Sequence, residues 1–271
     1  MGIFDNIVVA PFEQGQRKKG VGNGAHELNS LLLDVSRDMG INVLRQYSLV
    51  VPNSNDNKKW GDDYKILHDI LKGIESYTLF GGDHSVGQSS VAASLTKVTP
   101  SNLIVIWIDA HADTNTYESS ISKNFHGMPL AGIVGYEKPW FDFDLRLPTS
   151  NLLYFGIRDL DDFEEKKINE NNIFHTKNLK NMVDKINEII LNNPNVKFHV
   201  SWDVDSLDPK IFDSTGCLAD DGLTLDDING VMDCVKSQLI ALDIVEFNPK
   251  LGNRQKSVDI LREFLVKNVE I

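Results

Sequence analysis

Ile104-Val105-Ile106-Trp107-Ile108-Asp109-Ala110-His111-Ala112-Asp113 is the stretch around which this chain is organised. Its apolar half, bounded by polar residues, reads as a strand buried on both faces of a parallel sheet. Its polar half sets three metal-ligand types at alternate positions. In extended backbone, residues i, i+2 and i+4 project to one side. Asp109, His111 and Asp113 are therefore expected to converge just past the strand's C-terminal end, where open α/β sheets bind their ligands.

Two other strand patterns end in the same way. One over 77–80 runs into Gly81-Gly82-Asp83-His84-Ser85, whose glycines are expected to allow a sharp turn that delivers His84. One over 196–202 runs into Asp203-Val204-Asp205-Ser206-Leu207-Asp208-Pro209. Further strands are predicted at 7–10, 43–50, 152–157, 172–175 and 239–247, the last carrying Asp243 and Glu246. Helical spacing predicts a first helix with Leu28, Leu31, Leu32 and Val35 on its apolar face and His26 just before it. Others are predicted over 64–74 (apolar face Ile66, Leu67, Ile70 and Leu71), 88–97, 178–191, 225–236 and 254–269. A charged helix should follow Arg158-Asp159-Leu160-Asp161.

The run Gly20-Val21-Gly22-Asn23-Gly24 reads as a turn, since its spacing is not that of a dinucleotide-binding fingerprint. Residues 52–60 read as a polar loop. The loop from Thr114 to Gly127 is long for a connection, which favours a functional role. Eight strands alternating with helices make an α/β chain with a parallel sheet covered on both faces, expected as one domain over residues 1–271. Periodicity alone leaves a closed barrel open as the alternative.

The formal net charge of -12, from 39 acidic against 27 basic residues, disfavours nucleic acid and anionic membrane surfaces as partners but suits a small cationic substrate. Hydrophobic content of 41% and charged content of 24% are those of a soluble globular protein. Two cysteines, Cys217 and Cys234, imply no disulfide framework and a reducing compartment. There is neither a signal-peptide pattern nor an apolar run of ~18 residues. A cytoplasmic location is the expectation.

Three strand ends together carry His84; Asp109, His111 and Asp113; and Asp203 and Asp205. Two imidazoles and four carboxylates suit divalent manganese, whereas zinc more typically recruits cysteine or more histidine. Four clustered carboxylates repel one another unless cations lie between them. A pair of divalent ions would remove that conflict and lower the pKa of a bound water towards ~7.

With these residues assembled, the chain resembles the ureohydrolases, and the arginases in particular. The matching motifs are Gly81-Gly82-Asp83-His84-Ser85, Asp109-Ala110-His111-Ala112-Asp113-Thr114-Asn115-Thr116, Ser201-Trp202-Asp203-Val204-Asp205-Ser206-Leu207-Asp208-Pro209 and Leu242-Asp243-Ile244-Val245-Glu246-Phe247-Asn248-Pro249, with Ala10-Pro11-Phe12-Glu13-Gln14-Gly15-Gln16 near the start. The resemblance implies a three-layer sandwich around an open, mostly parallel eight-stranded sheet, the arginase/deacetylase fold, and so decides against the barrel.

The resemblance also implies two Mn2+ per chain. One would be held by His84, Asp109, Asp113 and Asp203. The other would be held by His111, Asp109, Asp203 and Asp205, so that Asp109 and Asp203 bridge. It implies attack of a metal-bridging hydroxide on the guanidinium carbon of L-arginine, giving L-ornithine and urea. By position, His126 matches the proton-shuttling histidine and Glu246 the carboxylate facing the guanidinium. Asn115, Ser122 and Asn124 match the segment that reads the α-carboxylate, and Asp161 the holder of the α-amino group. That recognition set separates arginase from agmatinase, whose substrate has no α-carboxylate.

Departures from the family pattern are Cys217 in place of a threonine near the guanidinium, Leu218-Ala219-Asp220-Asp221 in place of a proline- and glycine-containing stretch, and His26 in place of a proline. The chain ends soon after its last predicted helix, which leaves a homo-oligomer, trimer or hexamer, unspecified. The alternatives are an agmatinase or guanidino-acid hydrolase, a low-activity regulatory homologue, and a zinc deacetylase. The recognition residues argue against the first, the complete ligand set against the second, and the number of ligands against the third.

Overall fold

The computed structural model describes residues 2–41, 45–48 and 60–269, with 45–48 described by backbone alone. The outer residues of the strand expected at 43–50, and the loop expected at 52–60 as far as residue 59, lie outside the described residues. Among the described residues eight strands are present: β1 (Asn6–Ala10), β2 (Arg45–Ser48), β3 (Tyr77–Gly81), β4 (Leu103–Ile108), β5 (Leu152–Phe155), β6 (Phe174–Thr176), β7 (Lys197–Asp203) and β8 (Leu239–Val245). They form one sheet in the order β2-β1-β3-β8-β7-β4-β5-β6, and every neighbouring pair is parallel. The order is linear, with β2 and β6 at its edges, so the sheet is open and not a barrel.

Side-chain alternation along the central strands feeds two cores. Ile7 and Val9 of β1 join Ile106, Ile108, Val200 and Trp202 on one face. Val8 and Ala10 join Leu79, Val105, Trp107 and Tyr154 on the other. The first face is covered by α1 (Val21–Met39), α6 (Leu179–Asn192), α7 (Leu225–Val235) and α8 (Arg254–Asn268). The second is covered by α2 (Trp60–Lys72), α3 (Val86–Leu95), α4 (Pro129–Val134) and α5 (Asp162–Asn171). Burial on both faces is why the central strands, such as β1 and β4, read as continuous apolar runs.

The connection order positions the site. From β3 the chain crosses to β4, and β7 and β8 later fill the gap between them. The C-terminal ends of β3, β8, β7 and β4 thus lie side by side at the point where the strand order changes direction, the usual location of a ligand crevice in such sheets.

Helix starts depart from expectation, and the reasons are physical. Helix α1 begins inside the glycine run, at Val21, after Gly20 with φ 117. His26 is therefore an exposed residue within α1 and not a residue before it. The glycine run is a close-packing signal: a Cβ on Gly24 would lie 1.7 Å from the Phe247 carbonyl oxygen. The same holds for the turn before His84, where neither Gly81 nor Gly82 has positive φ and a Cβ on Gly82 would lie 1.8 Å from the Phe12 carbonyl oxygen. Helix α2 starts four residues earlier than expected; Tyr64 is buried and Ile66 is 47% exposed, which rotates the apolar face from the one expected. Helix α3 follows His84 and Ser85 directly, and all ten of its residues are buried. Helix α4 was not expected; Pro129 opens it at N1, where a missing N–H costs nothing.

Just beyond α3, the Lys97 Nζ is buried without a hydrogen-bond partner, 4.2 Å above the centre of the Tyr77 ring. Burial pushes its pKa down to about 7, against the attraction of Asp243. An unfolded lysine titrates near ~10.4, so between those values the unfolded chain binds more protons and stability rises with pH. Lys97→Met should remove that component of the rise and stabilise the fold at pH 7 by about 1–3 kcal/mol, the cost of a buried unsatisfied group. Denaturant unfolding of both proteins at pH 7 and pH 10 checks this; equal pH slopes would contradict it.

Candidate active site

The end of β4 builds the centre of the site. Asp109 follows the last strand residue, is fully buried, and accepts hydrogen bonds from the Trp107 indole N–H (3.0 Å) and the His111 amide (2.8 Å). The expectation that extended backbone would align Asp109, His111 and Asp113 fails beyond Ile108. Asp113 has φ 52, so a left-handed turn brings its carboxylate back to the cluster. Glu246, just past β8, has φ 67. Such conformations cost a non-glycine residue about 1–3 kcal/mol and gather at functional sites.

His84 is stacked flat on Trp107, with ring centroids 3.9 Å apart and planes at 6°. Its Nδ1 faces three carboxylate oxygens: Asp109 Oδ2 at 2.9 Å, Asp113 Oδ2 at 3.2 Å and Asp203 Oδ2 at 3.2 Å. This nitrogen is buried and has no hydrogen-bond partner. His111 Nδ1 lies 3.3 Å from Asp109 Oδ1 and 3.2 Å from Asp205 Oδ2. Two ligand clusters result, His84–Asp109–Asp203 and Asp109–His111–Asp205, sharing Asp109. Asp113 joins the first through His84. Asp203, expected to serve both clusters, falls in the first, and its Oδ1 accepts the Asp205 amide at 2.8 Å.

The electrostatics ask for positive charge between these groups. Burial and the charge of Asp109 push Asp113 up to about 7, and burial with Asp205 and Asp109 pushes Asp203 well above the carboxylate range. Burial works against an imidazolium at both histidines, but the surrounding carboxylates raise both well above the ordinary value. An orphaned imidazole nitrogen among carboxylates, with an oxygen-rich donor set and two histidines, fits a pair of divalent cations of the manganese type.

The clusters floor a cavity of about 230 Å³ lined by His111, Asp113, Asn115, Ser120, Ser122, Asn124, His126, Gly127, Asp159, Asp161, Glu164, Asp203, Asp205 and Cys217. No lysine or arginine lines it. The Thr114–Gly127 loop is tied across the mouth: the Asn115 amide donates to the Gly127 carbonyl at 3.2 Å and the His126 amide to the Gly15 carbonyl at 3.1 Å. Asn115 Nδ2 donates to Asp161 Oδ2 at 2.8 Å, and Asp161 caps α5. Burial, then the Glu246 charge, pushes the Cys217 thiol up to about 12, so the cavity wall there carries a neutral thiol.

Glu246 is not among the lining residues. It lies behind His126, where its Oε1 is 2.9 Å from His126 Nδ1 and accepts the His84 amide at 2.9 Å, while Gln16 Nε2 donates to Oε2. Burial alone would lower the His126 pKa; the Glu246 carboxylate overrides it and pushes His126 up to about 9.

Four contributors were not singled out from the sequence. Asp159 reaches His111 Nε2 at 3.6 Å. Glu164 accepts the Thr114 amide at 3.0 Å and is pushed up to about 8 by burial and Asp113. Gln16 holds Glu246, and Asp83 anchors the Gly15 amide at 2.7 Å. Gln16 and Asp83 stood inside the quoted family motifs without a role assigned to them, and Glu164 carried the capping-box pattern Asp161-x-x-Glu164.

A crevice of paired carboxylate–imidazole clusters on an open parallel sheet marks a metallohydrolase-type site. A model of the Arginase family matches residues 6–268. The arginase of Neurospora crassa is 31% identical over 281 aligned residues, covering 91% of this chain and 78% of its own. The crystal structure of Entamoeba histolytica arginase in complex with L-ornithine superposes with a TM-score of 0.85 at 25% identity, covering 98% of each chain. Formimidoylglutamase from Bacillus subtilis, at 17% identity and a TM-score of 0.75, covering 98% of this chain and 85% of its own, shares the fold. The chain belongs to the arginase family, a family of metal-dependent hydrolases.

Manganese added to metal-free protein should raise its thermal midpoint. At 100 times the dissociation constant, one bound ion stabilises by about 2.7 kcal/mol. Asp109→Ala, which takes a ligand from both clusters, should abolish the response, and Asp205→Ala should halve it. An unchanged manganese-dependent rise in Asp109→Ala would contradict the shared-ligand geometry.

Proposed function

We propose that this chain is an arginase: it hydrolyses the guanidinium group of L-arginine to L-ornithine and urea with two manganese ions. The observation that carries the reading is the pair of clusters sharing Asp109 at the floor of a cavity whose described lining is rich in carboxylates and holds no lysine or arginine. His84, Asp109, Asp113 and Asp203 would hold one ion, and His111, Asp205 and the shared Asp109 the other. When bound, such ions would supply the nucleophile by lowering the pKa of a water towards neutrality.

The chain's own residues do the rest. The negative walls draw in a cationic guanidinium and exclude anions. Glu246 supplies the charge complementary to the guanidinium from behind His126. Its contact with His126 Nδ1 commits that nitrogen, so Nε2 is the one left to deliver a proton to the departing amine. A pKa of about 9 keeps that proton in place at neutral pH. Asn115, Ser122 and Asn124 at the mouth would read the α-carboxylate and Asp161 the α-amino group. The Asn115–Asp161 hydrogen bond already sets two of these side chains against each other.

Urea release with manganese-loaded protein tests the reading. L-arginine should be preferred over agmatine by ~10³-fold or more, because an analogue that leaves polar groups unpaired is strongly rejected. Equal rates would overturn the substrate assignment. His126→Asn should keep its manganese and its inhibitor affinity while turnover falls by ~10²–10⁴-fold, the usual contribution of a positioned proton donor. Turnover that falls only in step with metal loss would remove His126 from the chemistry.

A further inference from the structure

Beneath His84 lies a polar network that takes no part in lining the cavity. Asp243 sits in the middle of β8, fully buried, and is the register partner of Ser201 on β7. Three donors converge on its carboxylate. Ser90 Oγ of α3 donates to Oδ1 at 2.6 Å, Ser201 Oγ donates to Oδ2 at 3.1 Å, and His199 Nε2 lies 2.9 Å from Oδ2. His199 Nδ1 is in turn 2.8 Å from Ser94 Oγ, and Ser90 Oγ is 2.9 Å from the Tyr77 hydroxyl. All of these side chains are buried. The remaining contact of Ser201 Oγ is His84 Nε2, at 3.0 Å.

Counting protons gives the network a direction. A carboxylate only accepts, and a serine hydroxyl has one proton to give. The Ser201 proton is committed to Asp243, so Ser201 Oγ meets His84 with a lone pair. His84 Nε2 must then carry a proton, so that in the neutral ring Nδ1 is the lone pair, aimed at Asp109, Asp113 and Asp203. That is the tautomer a metal ligand requires. We infer that Asp243 is a positioning residue for the metal centre, acting through Ser201 to fix the proton of His84 on Nε2. The inference rests on the reading of the site as a manganese centre.

Asp243→Asn keeps the shape of the side chain but introduces a donor. The amide can then point an N–H at Ser201, which frees the hydroxyl to turn towards His84 and favours the tautomer that cannot bind metal. Manganese affinity, measured by calorimetry on the full chain, should fall about 10–100-fold at the site containing His84. Ser201→Ala, which cuts the relay without touching Asp243, should lose a similar factor. The double variant should lose no more than either single one, because both changes break one pathway.

Wild-type affinity in Asp243→Asn, or losses that multiply in the double variant, would overturn the inference. If Asp243→Asn does not fold, undiminished affinity in Ser201→Ala overturns it alone. A wild-type chain that takes up no manganese overturns the metal reading and this one with it. Wild-type binding with unchanged variants overturns this one only.

Discussion

Buried like charges cannot be neighbours without something positive between them, and that constraint shapes this protein. Asp109, Asp113, Asp203 and Asp205 are all buried and converge from two adjacent strand ends. In a low-dielectric interior their repulsion is unscreened. Two histidines alone cannot balance four carboxylates, and the direction in which Asp113, Asp203 and Asp205 are pushed records the shortfall. The two left-handed residues, Asp113 and Glu246, are part of the same cost. A divalent pair would turn the cluster from a liability into a binding site.

Everything around the centre works by fixing orientation. Trp107 stacks on His84 and donates to Asp109, so one side chain orients a ligand from each of two strands. Glu246 joins three loops by contacting His126, the His84 amide and Gln16. A substrate cation would enter a cavity whose walls are already held, with its loop tied to Gly15 and Asp161 before anything binds.

Much of this was readable from residue order, and the remainder was hidden for definite reasons. The central strands announce themselves because burial on both faces leaves long apolar runs such as Ile104 to Ile108. The strand ends could be read because acidic residues and histidines at the C-terminal ends of buried strands have few structural uses. Helix starts were misjudged where glycine serves close packing and not a turn, as at Gly24 and Gly82. The left-handed turn at Asp113 carries no sequence signal, so the alternation argument selected the right ligands through the wrong backbone. Asp159 looked like an ordinary loop charge, and Glu164 like the capping residue of a charged helix and nothing more. Asp243 and His199 are polar interruptions in apolar strands whose meaning depends on the register between β7 and β8, which no local pattern encodes.

The central claim is that two cations, not shared protons, hold the carboxylate cluster together. Anomalous diffraction at the manganese edge from crystals grown with manganese tests it most directly. The account predicts two peaks, one among His84, Asp109 and Asp203 and the other among Asp109, His111 and Asp205, with Asp109 in contact with both. A single peak, or none within this cluster, would contradict it.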